Sequence, residues 1–160
     1  MRSIWIVAYL LAVVLLTSGA YHVLRREWVL YRRGETLFLQ EEYSKAIPLY
    51  EASLNKGVKT SDLLHHLGQS YLATGETEKA LPFFETLARD DPTHPRSGFT
   101  LAALYTMRGN IDKAIALYES QIRSGPDPRL ARILLARTLV SKGCFEEAAR
   151  HYRTALGETE

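Results

Sequence analysis

The chain of 160 residues is 46% hydrophobic and 24% charged, close to the globular average, which excludes disorder as its main state. A single Cys excludes an internal disulfide framework and a Cys-rich zinc site. The net charge of +2 divides unevenly, with five Arg and one Glu in residues 1–33 and 15 basic against 17 acidic side chains in residues 34–160; no basic domain surface is present, and no nucleic-acid partner is expected.

From Ser3 to Leu24 run 22 residues without a formal charge. Ile4 to Leu24 as a helix rising ~1.5 Å per residue would be roughly 30 Å long, the thickness of a bilayer core. Residues 1–26 are therefore expected to form a single transmembrane anchor. A secretory signal peptide is the competing reading, with Arg2 as n-region, Ile4 to Leu16 as apolar core and Ser18-Gly19-Ala20 as a small-residue cleavage pattern. Tyr21 to Leu24 prolong the apolar run, and Arg25, Arg26, Arg32 and Arg33 follow it; basic residues there oppose translocation and favour a cytoplasmic location for the rest of the chain.

Residues 27–160 repeat at an interval of 34 without insertion or deletion. One column is Gly34, Gly68, Ala102 and Ala136; three residues on come Leu37, Tyr71, Tyr105 and Leu139. Glu41, Gly75, Gly109 and Gly143 form the next, then Ala46, Ala80, Ala114 and Ala148, then Tyr50, Phe84, Tyr118 and Tyr152. Apolar residues recurring at three and four, as in Leu64, Leu67 and Tyr71, make one buried helical face. The Gly column stops a first helix, because Gly takes the left-handed conformation without a Cβ clash. The Ala column permits close approach, and the ring one turn later fills the gap beside it. Pro92 and Pro126 end the second helices, and Asp62 and Asp127 are candidate caps or first-turn acids. The pattern predicts helices over 27–40 and 43–56, 61–74 and 77–90, 95–108 and 111–124, and 129–142 and 145–157. Gly98 within a helix costs ~1 kcal/mol relative to Ala, so the fifth is expected to fray at its start.

These columns resemble the tetratricopeptide repeat, W-x2-L-G-x2-Y…A…F…P, best in the second copy with Leu64, Leu67, Gly68, Tyr71, Ala80, Phe84 and Pro92. The first position of the motif is Leu30, Leu64, Gly98 and Arg132, while Glu41 replaces a Gly and Val58 and Glu160 replace Pro. The resemblance implies an all-α protein: the single N-terminal transmembrane helix, then a right-handed α-solenoid of four helix pairs, with repeats at 27–60, 61–94, 95–128 and 129–160. It also implies a concave groove lined by positions 2, 5, 9 and 12 of each repeat. These are Trp28, Tyr31, Glu35 and Phe38; Asp62, His65, Gln69 and Leu72; Arg96, Phe99, Ala103 and Thr106; and Leu130, Ile133, Arg137 and Val140. The candidate peptide-binding residues are Tyr31, Phe38, His65, Gln69, Leu72, Arg96, Phe99, Ile133, Arg137 and Val140. Large apolar members suit an apolar segment or amphipathic helix, and Arg96 and Arg137 suit a carboxylate. Equally, several of them could pack inside the array, and Trp28 and Tyr31 could face lipid headgroups. The family's clamp for chaperone tails does not map, since Tyr31, Glu35 and His66 occupy positions that need a basic residue and Asn.

Arrays of this kind often close with an extra polar-faced helix. None follows the fourth copy here, so Phe145, Ala149, Tyr152 and Leu156 are expected to form an apolar distal interface for a partner subunit or a second copy. No catalytic or metal site is expected. His65 and His66 are adjacent and point ~100° apart, Cys144 has no patterned partner, and no glycine run precedes Lys-Ser or Lys-Thr. No cofactor is implied. The sequence reads as a membrane-anchored scaffold or adaptor that binds a protein segment and helps assemble or regulate a membrane or envelope complex, at the inner membrane if bacterial. The alternative is an exported periplasmic chaperone freed by signal cleavage.

Overall fold

The computed structural model describes residues 13–14, 26–94 and 96–157. Among them are eight helices of more than ten residues and no strand: α1 (Arg26–Leu39), α2 (Tyr43–Asn55), α3 (Ser61–Ala73), α4 (Thr77–Asp90), α5 (Ser97–Met107), α6 (Ile111–Ser124), α7 (Pro128–Lys142) and α8 (Phe145–Leu156). No helix among the described residues is long and apolar enough to cross a membrane. The expected span, Ile4 to Leu24, lies outside the described residues apart from Val13 and Val14.

The described residues form two compact bodies, divided between Lys59 and Thr60. In the first, α1 packs against α2; in the second, each helix from α3 to α8 packs against the next. The second body is therefore a solenoid, whose distal core unites Ala102, Ala114, Tyr118, Leu135, Ala136, Leu139 and Ala148.

One device closes the first helix of every pair. Glu41, Gly75, Gly109 and Gly143 all have left-handed backbones, with φ of 60°, 82°, 76° and 84°. The residue after each donates its N–H five positions back, Glu42 to Leu37, Glu76 to Tyr71, Asn110 to Tyr105 and Cys144 to Leu139, at 2.8–2.9 Å. This is the Schellman arrangement, which satisfies carbonyls that the helix end leaves without partners. The same four residues precede the second helices, and the carbonyl of each accepts from the Ala of the Ala column at 3.0–3.2 Å. Glu41 makes the turn that its sequence disfavours.

Close approach of paired helices rests on the small column. A Cβ on Gly34 would lie 2.9 Å from the Tyr50 ring, and one on Gly68 2.8 Å from the Phe84 ring. Tyr50 and Phe84 are both fully buried. Thr60 caps α3 by accepting from the Leu63 N–H, and Asp127 caps α7 by accepting from the Leu130 N–H. Asp62 is a first-turn acid of α3. Helix α5 starts at Ser97, two residues later than predicted, and is the shortest at 11 residues. Gly98 near its start is buried, and a Cβ there would meet the Gln121 amide nitrogen at 2.3 Å.

Successive repeats of the second body are also tied at their surface. Lys142 Nζ donates to Asp112 Oδ1 at 2.7 Å, and Arg108 pairs with Glu78 at the equivalent positions one repeat earlier. The Tyr105 hydroxyl donates to Glu85 at 2.7 Å.

Candidate functional site

The residues expected to line a groove meet different fates. In the first body, Tyr31 and Phe38 are half-buried and surround Tyr50, with ring centroids 6.1 and 6.4 Å from it. The Tyr50 hydroxyl donates to Glu35 Oε1 at 2.6 Å. Interior packing thus takes up much of both rings, while Trp28, edge-on to Tyr31, is 44% exposed.

His65, placed by the register at a groove position, takes the interior alternative. It is only 8% exposed, between the rings of His94 at 4.7 Å and Phe84 at 5.9 Å. Its Nε2 has no hydrogen-bond partner among the described residues. Burial first, then the neighbouring His94, His66 and Arg96, lower its pKa to about 4, opposed weakly by Asp62. The ring is therefore neutral at physiological pH. The 34-residue register gave position but not depth, because the loop residue His94, which covers His65, belongs to no repeat column.

Gln69, Leu72 and Ile133 are half-buried, Phe99 packs on the distal core, and Arg96, Arg137 and Val140 are exposed. The first helices of the third and fourth pairs bring some of these positions together. A pocket of about 370 Å³ lies between α5 and α7 over α6, lined by Ala103, Thr106, Met107, Tyr118, Leu134, Arg137, Thr138 and Ser141. Ala103, Thr106 and Arg137 belong to the register-derived set. Met107 and Ser141 stand one helical turn beyond Ala103 and Arg137, so the signal that could have found them is the i, i+4 continuation of the groove face. Tyr118 comes from the ring column, and Leu134 and Thr138 from outside the groove positions; here they wall the same space.

The chemistry of this pocket is specific. The hydroxyls of Thr106, Thr138 and Ser141 donate to the main-chain carbonyls of Ala102, Leu134 and Thr138 at 2.9, 3.0 and 2.7 Å. Their protons are thus committed; the oxygens of Thr138 and Ser141 remain as acceptors, while that of Thr106 is shared with Tyr118. Burial raises the Tyr118 phenol above its ordinary pKa, while Arg137 and a hydrogen bond shared with Thr106 pull the other way. Arg137 faces no carboxylate among the described residues within ion-pair distance. The pocket combines one guanidinium donor, hydroxyl acceptors and the apolar surfaces of Ala103, Leu134 and Met107.

Phe145 and Leu156 on α8 are each 66% exposed, and Ala149 and Tyr152 are half-buried. A second hollow, of about 590 Å³, is lined by Ile122, Pro128, Arg129, Arg132 and residues 154–157.

Two sequence models, both described as tetratricopeptide repeat, match residues 31–95 and 71–137. The helix pairs are tetratricopeptide repeats. Among solved structures, YrrB, a TPR protein with an unusual peptide-binding site, is 20% identical with a TM-score of 0.73 over 81% of this chain and 67% of its own. MamA from Desulfovibrio magneticus RS-1, residues 41 to end, is 20% identical with a TM-score of 0.73 over 82% and 75%. A further crystal structure of MamA is 19% identical with a TM-score of 0.76 over 89% and 83%. These likenesses concern the TPR fold. No curated protein is significantly similar in sequence.

Proposed function

We propose that this TPR protein is a membrane-anchored adaptor whose repeats hold an extended segment of a partner protein. The pocket between α5 and α7 carries the proposal. Peptide N–H groups match the hydroxyl acceptors of Thr138 and Ser141, a carbonyl or carboxylate matches Arg137, and a small apolar side chain fits against Leu134 and Met107. The peptide-binding site of YrrB supports the same use of this fold. Gln69, Leu72, Arg96, Phe99, Ile133 and Val140 would extend the contact along the first helices of the second body.

In this reading residues 1–26 are the anchor and the repeats occupy 27–60, 61–94, 95–128 and 129–160. The protein is single-pass, in the inner membrane if bacterial, and the Arg residues that follow the span favour a cytoplasmic array. The anchor confines the pocket to the bilayer surface and raises its effective concentration for a membrane-bound partner, which suits assembly or regulation of a membrane complex. The small-residue run Ser18-Gly19-Ala20 supports the second reading, a periplasmic chaperone released by cleavage; a mature N-terminus at Tyr21 would establish it.

The test is crosslinking and affinity capture from native membranes with the full chain. Arg137→Glu and Met107→Glu change exposed side chains and leave the core intact. Each is expected to lower partner recovery about tenfold, Arg137→Glu by removing a charge-assisted contact and Met107→Glu by setting a carboxylate on the apolar wall. Undiminished recovery in both would exclude the pocket as the binding site.

A further inference from the structure

Helix α8 carries a surface that the peptide pocket does not use. Phe145, Ala149, Tyr152 and Leu156 follow one another at spacings of four, three and four, the seam of a two-helix pairing. Phe145 and Leu156 are 66% exposed, whereas Ile111 and Ile122, at the same positions one repeat earlier, are half-buried. On one flank of the seam stand the exposed Glu146 and Arg153; on the other, Ala148 and Ala155 are buried. The helix is acidic in its first turn and basic in its last.

We propose that this seam joins two copies of the chain through an antiparallel, twofold-symmetric pair of α8 helices. An axis between Arg150 and His151 sets Phe145 opposite Leu156 and Ala149 opposite Tyr152. All four apolar residues are used, and the Tyr152 ring fills the space over the small Ala149. Leu156 also borders the 590 Å³ hollow with Ile122, which gives the Phe145 ring of the second copy a receptacle. The same axis brings each Glu146 beside Arg153 of the second copy, and the antiparallel helix dipoles attract. A parallel pair would face each Glu146 and Arg153 with the Ala148 and Ala155 flank of the second copy, where neither finds an opposite charge, so the antiparallel form is the one that pairs them. This self-complementarity is what an isologous contact requires, and it identifies a second copy as the occupant. The seam of 12 residues is ~18 Å long, which makes the contact a weak one by the measure of stable interfaces.

Disulfide trapping of the full chain in detergent, with Cys144→Ser removing the native thiol, tests the register. Phe145→Cys with Leu156→Cys in one chain places the new thiols within the Cα separation of ~4.4–6.8 Å that a disulfide needs, and a covalent dimer is expected. Either cysteine alone should give little, because position 145 and its symmetry mate are ~16 Å apart along the axis. In otherwise native chains, Glu146→Arg or Arg153→Glu should each weaken dimerisation about tenfold in analytical ultracentrifugation. The double reversal should restore it, a pattern that misfolding cannot produce. Equal trapping from the single cysteines, no trapping from the pair, or failure of the double reversal to restore association overturns the proposal. Because α8 contributes nothing to the Arg137 pocket, partner capture by the same variants reports separately on peptide binding.

Discussion

Single residues decide where this array is strained and where it responds to pH. Glu41 sits at φ 60° in a turn where the other three first helices use Gly, and a non-glycine residue there costs roughly 1 kcal/mol. Glu41→Gly is therefore expected to stabilise the first helix pair by about that amount in denaturant unfolding, since the hydrogen bonds of the turn are already made. His65 has the opposite character. Its pKa of about 4 in the folded chain lies below the ordinary 6.5, so the unfolded chain binds more protons between those values. Its contribution is fully present above pH 6.5 and is lost as pH falls to 4, by roughly 3 kcal/mol in all. His151, shifted in the same direction by burial and by Arg132, adds to the trend. Denaturant titrations at pH 7, 5.5 and 4 should show this slope, and His65→Leu should flatten it; an equal slope in the variant would assign the effect elsewhere.

At the scale of the helices, the decisive contacts are those between ring and small residue. Gly68→Ala gains about 1 kcal/mol of helix propensity but drives a methyl to 2.8 Å from the fully buried Phe84 ring. Overpacking costs of ~1–3 kcal/mol make the expected result a modest net loss, measured as a lower unfolding midpoint. The surface pair Asp112–Lys142 contrasts with this: Asp112→Ala should cost less than ~1 kcal/mol, while Leu135→Ala in the distal core should cost ~2–5 kcal/mol. Helix boundaries were legible because Gly, Ala and ring columns recur in one register, and each column has a local physical cause. The site was legible only where that register reached. Arg137, Ala103 and Thr106 lie at repeat positions that face the groove, but the acceptor character of Thr138 and Ser141 depends on where their protons go, and the burial of His65 depends on a loop outside the pattern. Tyr31 and Phe38 show the remaining ambiguity, since an aromatic at a groove position can turn inward onto Tyr50.

The molecule as a whole is built of neighbours. In the second body each helix packs on the ones before and after it, so its stability is close to a sum over adjacent pairs. Native-state hydrogen exchange is expected to show the strongest protection in the inner helices α4 to α7, which have partners on both sides, and the weakest at the end of α8; uniform protection would mean that the body opens only as a unit. Peptide capture and α8 pairing, placed on different faces, should remain separable in such measurements. The corner residues Glu42, Glu76, Asn110 and Cys144 carry a consequence for how such a chain can change over generations. Each spends its N–H on the helix before it and its carbonyl on the helix after it. One residue added at a corner would break both bonds at once, whereas a duplicated block of 34 residues would bring its own corner with it. The architecture can thus gain or lose whole copies, but it resists being stretched within one.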